Sequence, residues 1–483
     1  MSGLPPRRFI YAVAVLVVLG ALGVGFASAH TGKRAARGLP SPVPSVTDAQ
    51  LISTDEAPPT AADCFAIGRR CFTASAMENS YNLPPLYAAG DEGQGVTIAI
   101  IDSFGNPNMA SDLANFNTQM GLPHMCGEPG QACGAGIPTF THVFWNGQTQ
   151  VKQPPPNSNG TGLQARSGWA LETALDVEWA HAMAPEANIL NVTTNPAETQ
   201  GVQGLPAMMN AEQFIIDNHQ ATVITQSFGT TEEAFGSTQS LLNLRHAFIS
   251  AQATGVTVLA STGDGGTANA VKSPVKNPVT VPYPTVNWPA ADPLVTAVGG
   301  TYLCTDPVTG VGVDSADPPS ICQAHPGVRE IGWIDSGGGF SHVFARPSYQ
   351  ENLPAAWTPI STMRGVPDVA FQASSRTGPL VYDTAAGARG WFIVGGTSCS
   401  APQWSGLVAI ADQIAGHGLG QINQTLYQLA AGPNYGTYFY DVTSGNNRAD
   451  PSIPGYPATT GWDPVTGLGT PNAATLVPAL AAG

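Results

Sequence analysis

The chain has 483 residues, which is enough for one large domain or two ordinary ones. Because 43% of the residues are hydrophobic and only 11% are charged, the composition excludes a disordered chain and allows a large core. The net charge is −15, and after residue 70 only 11 Lys and Arg face 29 Asp and Glu. Such a surface would repel nucleic acid and anionic membranes, so neither is an expected partner.

The first 29 residues have the pattern of an export signal. Arg7 and Arg8 precede an apolar run over residues 9–26, and the Ala-Ser-Ala of residues 27–29 is typical of a cleavage site. A retained membrane anchor is the alternative, because the run is nearly long enough to span a bilayer. Both interpretations place the rest of the chain outside the cytoplasm, and we expect a secreted protein.

Seven cysteines suit an oxidising compartment. Although other connectivities are possible, we expect disulfides between the three pairs that are close in sequence, namely Cys64 with Cys71, Cys126 with Cys133, and Cys304 with Cys322. Cys399 is left over. It has no evident His partner, so we expect it to lie in the core as a small apolar residue and not to serve as a catalytic thiol.

Residues 30–75 are rich in Pro, Ala and Ser, which predicts an extended linker or a short pro-segment. From residue 95 onward, short apolar runs rich in β-branched residues alternate with stretches of helical length. The predicted strands are 96–101, 187–192, 221–225 and 256–260, and the predicted helices are 170–183, 206–219 and 240–254. This alternation predicts an α/β fold with a mainly parallel sheet covered on both faces and a crevice at the carboxyl ends of its strands.

The run GGTSCSAP over residues 395–402 presents Ser398 just before a predicted helix over 401–415. Free N–H groups and the positive dipole end of a helix favour developing negative charge, as an acyl-transfer nucleophile requires. The alternative is a Ser/Thr-rich helix cap without chemistry.

A nucleophilic Ser usually needs a His as base, but none of the nine His has a suitable sequence context, and His181 is expected at a helix end. Glu172 and Asp176 are four residues apart, so they project from one face of a predicted helix that has no nearby Lys or Arg to offset them. The pair is a candidate catalytic site. A solvated acidic face that also includes Glu178 is the alternative.

Two further Asp residues follow predicted strands. Asp264 lies in the Gly-rich turn STGDGG over residues 261–266, where a plain surface turn is the alternative interpretation. Asp102 ends the first predicted strand. Since no His has a sequence context suited to act with it in catalysis, we interpret Asp102 as a structural residue at the strand end.

Together, GTSCSAP with Ser398, ExxxD with Glu172 and Asp176, and ASTGDGG with Asp264 resemble the sedolisins, the serine-carboxyl peptidases with a subtilisin-like fold. The likeness runs from about residue 80 to the carboxyl terminus. It implies a catalytic domain over residues 76–483 with a subtilisin-like α/β fold, a mainly parallel central sheet and helices on both faces.

The resemblance also implies roles for the site residues. Ser398 would attack the scissile carbonyl, Glu172 would take its proton, and Asp176 would orient Glu172. Asp264, protonated, would stabilise the oxyanion together with the Ser398 N–H group, so the resemblance implies peptide hydrolysis at acidic pH. Residues along the substrate backbone would be Ser227, Phe228 and Gly229.

A calcium loop is implied near the carboxyl terminus. Its ligands to one structural Ca²⁺ would be the side chains of Asp441 and Asp463 and the carbonyls of Val442, Thr459 and Gly461. Sedolisins usually have Gly at the position of Thr459.

The sequence departs from the family in a second respect, besides Thr459. Sedolisins usually carry a folded prodomain, which about 45 residues between the signal and Cys71 cannot supply. A catalytically silent binding protein on the same fold is therefore the competing hypothesis, while a His-based subtilase is disfavoured. We expect a monomer that acts on proteins or peptides.

Overall fold

The computed structural model describes residues 43–44, 48–152, 163–195, 201–271, 278–385 and 389–483. The predicted signal peptide, residues 1–29, lies outside these ranges, as does most of the predicted linker before residue 48. Within them, no helix is long and apolar enough to cross a membrane.

The strands, numbered in chain order, are β1 (Val43–Pro44), β2 (Gln50–Ser53), β3 (Arg70–Phe72), β4 (Thr97–Ser103), β5 (Phe140–Trp145), β6 (Gln150–Val151), β7 (Asn188–Thr194), β8 (Val223–Gln226), β9 (Phe228–Thr231), β10 (Thr257–Ser261), β11 (Ala270–Val271), β12 (Val279–Thr280), β13 (Asn287–Trp288), β14 (Thr296–Leu303), β15 (Glu330–Gly332), β16 (Gly339–Ala345), β17 (Met363–Val366), β18 (Val369–Gln372), β19 (Thr377–Asp383), β20 (Gly390–Ile393), β21 (Phe439–Tyr440) and β22 (Thr470–Pro471).

The α-helices are α1 (Ala61–Ala66), α2 (Ala74–Ser80), α3 (Pro84–Tyr87), α4 (Met109–Met120), α5 (Leu163–Met183), α6 (Leu205–Asp217), α7 (Thr238–Leu242), α8 (His246–Thr254), α9 (Ser320–Gln323), α10 (Ser400–Ala415), α11 (Asn423–Ala431), α12 (Tyr435–Tyr438) and α13 (Ala473–Ala481).

The main sheet has the strand order β15-β14-β10-β8-β4-β7-β5-β6, and β18 also pairs with β14. The pairs among β18, β14, β10, β8, β4, β7 and β5 are parallel, whereas β15 and β6 add antiparallel strands at the two edges. The predicted α/β fold with a mainly parallel sheet is confirmed.

Both faces of this sheet are buried under helices. Since successive side chains of a strand point to opposite faces, each strand contributes to the packing on both sides. On β4, Ile98 and Ile100 pack into one apolar cluster with α5 and α10, and Ala99 and Ile101 pack into a second cluster with α6 and α8. The continuous apolar runs that predicted the strands reflect this burial on two sides.

The four predicted strands are present as β4, β7, β8 and β10, and two of the predicted helices are α5 and α6. The predicted helix over 240–254 is wrong in one detail, because the chain forms α7 and α8 with a break between them. At the break, the Arg245 guanidinium donates two hydrogen bonds to the Asp292 carboxylate. A tertiary ion pair thus accompanies a break that helical length alone did not reveal.

The structure differs from the linker interpretation over residues 50–72. There β2 pairs with β20 and β3 pairs with β19, so this stretch belongs to the same folded unit as the predicted catalytic domain. Local signals explain the order, since Thr60 caps α1 in a reciprocal capping box with Asp63.

The three predicted disulfides are present, joining Cys64 to Cys71, Cys126 to Cys133, and Cys304 to Cys322. Cys399 is free and buried, as expected for a core residue.

Candidate active site

The Ser398 turn connects β20 to α10. Gly396 has φ 143°, a conformation that favours glycine, and its N–H donates to the Ala373 carbonyl at 2.7 Å. A Cβ on Gly395 would lie 2.3 Å from the Ser375 backbone nitrogen, so this turn packs against residue 375 without room for a side chain. The two glycines therefore place Ser398, which is buried, just before the first turn of α10.

Glu172 and Asp176 lie on α5 and are fully buried, as is Glu178. The alternative of a solvated acidic face is therefore wrong. Helix α5 packs closely on α10, where a Cβ on Gly406 would lie 2.5 Å from the Met183 Cβ. This close helix pair places Glu172 beside Ser398 at the amino-terminal end of α10, whereas Glu178 accepts a hydrogen bond from the Tyr382 N–H on β19.

The Glu172 carboxyl and the Ser398 hydroxyl are neighbours. Burial and the nearby Asp176, Asp102 and Asp264 raise the pKa of Glu172 well above its usual range, while the interaction with Ser398 lowers it. Neither Glu172 oxygen meets the geometry of a formed hydrogen bond to a described residue. Catalytic hydrogen bonds are often long without substrate, so the two groups are adjacent but not yet aligned.

Asp176 has partners that the sequence did not reveal. It accepts a hydrogen bond from the Ser227 hydroxyl at 2.8 Å. Burial and then Asp102 raise its pKa well above the usual range, whereas Ser227 lowers it. No hydrogen bond joins Asp176 to Glu172 among the described contacts, so the predicted orienting bond is not formed in this arrangement.

Asp102 lies in the same cluster of carboxyl side chains as Glu172 and Asp176. The sequence-based interpretation of Asp102 as a structural residue did not predict this position. Asp102 is buried, accepts a hydrogen bond from the Asn191 amide at 2.7 Å, and shares an interaction with Asp176. Burial raises its pKa to about 7. Its position at the carboxyl end of a parallel strand was a usable signal, because such strand ends meet at the crevice of the fold.

Asp264 lies beside the nucleophile turn. Its Oδ1 accepts hydrogen bonds from the Thr397 N–H at 2.8 Å and from the Thr397 hydroxyl at 3.0 Å. The hydroxyl in turn accepts from the Gly263 N–H at 2.9 Å. The turn that carries Asp264 is thus tied directly to the residue before Ser398.

The predicted substrate-binding residues adjoin the same groups. Ser227 contacts Asp176, and Phe228 and Gly229 begin β9. One edge of β9 pairs with β13 and the other edge with β1. Backbone pairing along this strand is therefore possible for an extended peptide that takes the place of β1.

Two loops bring the predicted calcium ligands together. The Gly461 N–H donates to Asp441 Oδ1 at 3.0 Å, and the Thr459 N–H donates to Asp463 Oδ2 at 2.9 Å. Asp463 is buried, and its bonds are to N–H and hydroxyl donors of its own loop. In the described ranges no three His, Cys, Asp or Glu side chains form a metal-binding group, so the remaining ligands would be carbonyls. Both carboxylates contact the loop over residues 459–463, and carboxylate and carbonyl oxygens are the ligands that a hard cation prefers.

His181 is a structural residue, as expected. It is buried near the end of α5, its Nε2 lies 3.0 Å from the Pro123 carbonyl, and burial lowers its pKa to about 4. The side chains that shift the pKa of Glu172 are the Ser398 hydroxyl and neighbouring carboxyl groups. A Ser next to a carboxyl base, with a second carboxyl beside the turn, is suited to acyl transfer.

Comparisons with known proteins agree with this geometry. A family model described as the subtilase family matches residues 93–432. Kumamolisin from Bacillus sp. strain MN-32 is 32% identical over 421 residues, which cover 85% of this chain and 63% of that protein. Tripeptidyl-peptidase 1 from Homo sapiens is 31% identical over 331 residues, which cover 64% of this chain and 52% of that protein.

Among solved structures, Pseudomonas sedolisin, described as a serine-carboxyl proteinase complexed with pseudo-iodotyrostatin, has a TM-score of 0.62 at 24% identity and covers 85% of this chain and 97% of its own. This likeness concerns the fold. The chain spans between 52% and 63% of the length of the two sequence relatives above.

Proposed function

The chain belongs to the subtilase family and resembles the sedolisins in its motifs, and we propose that it is a serine-carboxyl endopeptidase. The observation that carries the proposal is the convergence of Ser398 on Glu172, with Asp176 and Asp102 behind it and Asp264 beside it. A catalytically silent binding protein would not need a nucleophile and four carboxyl groups in one place.

The proposed mechanism begins when the Ser398 Oγ attacks the scissile carbonyl and Glu172 takes the hydroxyl proton. Asp264 in its protonated form and the Ser398 N–H group stabilise the oxyanion. Glu172 then gives the proton to the leaving amine, and water attacks the acyl-enzyme with Glu172 again as base. Asp176, held by Ser227, and Asp102 set the electrostatic surroundings of Glu172.

The pH range of the reaction follows from two carboxyl groups. Glu172 must have lost its proton to act as base, and its raised pKa means that strongly acidic solution would keep it protonated. Asp264 must keep its proton to donate a hydrogen bond, which favours pH below neutral. We therefore expect a moderately acidic optimum.

The calcium prediction remains part of the proposal. Asp441 and Asp463, with the carbonyls of Val442, Thr459 and Gly461, would hold one structural Ca²⁺. The ion would neutralise two carboxylates and join the two loops. We also propose that the protein is exported by a signal peptide over residues 1–29. It would act as a monomer on protein or peptide substrates.

The experiment that tests the proposal compares digestion of an unfolded protein substrate by the wild type and by Ser398→Ala between about pH 2 and pH 8. We expect cleavage by the wild type in acid and a loss of at least about a thousandfold in the variant. Absence of any Ser398-dependent cleavage would favour the silent binding protein instead.

A further inference from the structure

A cavity of about 350 Å³ lies at the other end of the main sheet from the candidate active site. It is formed where β4 and β8 begin and where α10 ends, whereas Asp102 lies near the carboxyl end of β4. Its volume falls within the range of small-molecule sites, about 300–1,000 Å³. The residues that line it are in the ranges 94–97, 219–222, 412–413 and 416–418.

One carboxyl in the wall of this cavity is buried with an unused oxygen. Asp412, on the last turn of α10, is 2% exposed, and its Oδ1 accepts a hydrogen bond from the Leu419 N–H at 2.9 Å. Neither Asp412 Oδ2 nor the buried hydroxyl of Thr222, which lines the same cavity, has a formed hydrogen bond to a described residue. Because buried polar groups are nearly always bonded, these two indicate a missing partner.

The charges around the cavity favour a cation as that partner. The cavity adjoins the carboxyl end of α10, which is the negative end of the helix dipole, and the last turn of this helix has no basic residue. No Lys or Arg is among the described residues that line the cavity. His417 is exposed, and its Nδ1 lies 3.0 Å from the Gly418 carbonyl, so this nitrogen already has a neighbour.

The acceptors indicate which kind of cation fits. Because Asp412 Oδ1 is already bonded to Leu419, the carboxyl is poorly placed to accept the two parallel donors of a guanidinium group. An ammonium group is a compact charge with three N–H donors, and Asp412 Oδ2 and the Thr222 hydroxyl can each accept one. A metal ion would lack ligands, since no three His, Cys, Asp or Glu side chains of the described chain form a metal-binding group.

We propose that this cavity binds a primary alkylammonium group, supplied by a free amine or by a lysine side chain. The ammonium donates to Asp412 Oδ2 and to the Thr222 hydroxyl, and the alkyl chain leads out of the cavity. The site is separate from the proposed peptidase function. Helix α10, whose 16 residues span about 24 Å, begins next to Ser398 and ends at the cavity.

Binding should weaken as the pH falls. Burial raises the pKa of Asp412 to about 6, whereas Thr222, the Leu419 N–H and His417 lower it. The other titratable side chains that line the cavity are His219 and His417, and protonation of either one would repel a cation. All three groups act in the same direction, so we expect the affinity for an ammonium to drop at least about tenfold between pH 7.5 and pH 4.5.

The test is a calorimetric titration of the full-length Ser398→Ala protein with n-butylamine at about pH 7.5. We expect a Kd at or below about 1 mM. In the same background, Asp412→Asn keeps an oxygen for Leu419 but loses the charge, and should weaken binding about 10- to 100-fold. Thr222→Val should weaken it about fivefold. Asp55→Asn, the same charge change on the exposed surface, should leave it unchanged. No binding, or equal affinity with and without Asp412→Asn, would overturn the proposal.

Three other probes use only the Ser398→Ala protein, so they test the site even if a variant fails to fold. Tetramethylammonium has the charge without N–H donors, and 1-butanol has the chain without the charge. Both should bind at least about tenfold more weakly than n-butylamine, and equal binding of either would overturn the proposal. Nα-acetyl-lysine amide presents the ammonium as a protein would. Tighter binding of this probe than of n-butylamine would support the site and identify a lysine side chain as the source, and the reverse order would support it with a free amine.

Discussion

Asp264 is held in one orientation by its neighbour on the nucleophile turn. Its Oδ1 accepts both the N–H and the hydroxyl of Thr397, so this oxygen is committed to the protein. A protonated carboxyl in this position can donate from its other oxygen, whereas an ionised one cannot donate at all. The proposed oxyanion role of Asp264 would therefore depend on a proton that a carboxyl loses as the pH rises.

Two replacements of Asp264 distinguish the need for a protonated carboxyl from the need for any hydrogen-bond donor at this position. Asp264→Asn keeps an accepting oxygen for Thr397 and donates at every pH, so we expect it to retain activity and to extend it to higher pH than the wild type. Asp264→Ala removes the donor, and we expect kcat to fall about 100- to 1,000-fold with little change in KM. Steady-state kinetics across pH would refute this role if Asp264→Asn kept the same alkaline limb as the wild type.

At the scale of elements, the site is the junction of two helices. Helix α5 carries the carboxyl groups, α10 follows the nucleophile, and the contact between Gly406 and Met183 leaves no room for a methyl group. The separation of these helices therefore sets the distance between Glu172, the proposed base, and Ser398, the proposed nucleophile.

Gly406→Ala tests this packing. The added Cβ would lie 2.5 Å from the Met183 Cβ, so the helices must shift, and we expect the free energy of unfolding to fall by about 1–3 kcal/mol and kcat to drop. Gly168→Ala on α5 is the matched control, because its Cβ would meet no atom of the described residues within 4 Å. Urea unfolding should show the control to be neutral or stabilised by up to about 1 kcal/mol; equal effects of both changes would contradict the packing argument.

The two loops at the predicted calcium site give a second test at this scale. If Ca²⁺ joins Asp441 to the loop that contains Asp463, a chelator should lower the unfolding temperature of the wild type. Asp441→Asn should lose most of this calcium dependence, and Asp55→Asn, on the exposed surface, should keep it. Thermal unfolding with and without added Ca²⁺ measures the difference, and equal calcium dependence in both variants would argue against the site.

The sequence predicted elements and motifs better than it predicted partners. Strands β4, β7, β8 and β10 followed from apolar runs, because burial on both faces leaves a plain signal. The contact of Asp102 with Asp176 could not be predicted from a local pattern, because the two residues are 74 positions apart, one on β4 and the other on α5. The order of residues 50–72 was also missed, because its strands are stabilised by pairing with distant β19 and β20.

Across the whole molecule, several carboxyl groups are buried and form no ion pair with Lys, Arg or His among the residues that the structure describes. Burial raises the pKa of Glu172, Asp176, Glu178 and Glu212 well above the usual range, and that of Asp102 to about 7. A carboxyl whose pKa is raised by folding stabilises the folded state below its unfolded pKa, and this stability is lost as the pH rises through the folded pKa. The fold should therefore be most stable in acid.

Glu212 isolates this effect from catalysis. It is buried on α6, and neither of its carboxylate oxygens has a hydrogen-bond partner among the described residues. Glu212→Gln stays neutral at every pH, so we expect it to raise the free energy of unfolding near pH 7.5 and to change it little near pH 4. The measurement is urea unfolding in the Ser398→Ala background, which we expect to be inactive and therefore free of self-digestion. Equal effects of Glu212→Gln at both pH values would contradict the linkage between its pKa and stability.

The most direct test of the central claim is kcat/KM for one fluorogenic peptide from about pH 3 to pH 8, for the wild type and Glu172→Gln. Glu178→Gln is the control, since it changes a buried carboxyl on the same helix that is not next to Ser398. We expect a maximum below neutral pH in the wild type and the control, and a loss of about 100- to 10,000-fold in Glu172→Gln. A maximum at neutral or alkaline pH, or a Glu172→Gln enzyme as fast as the wild type, would contradict a carboxyl base.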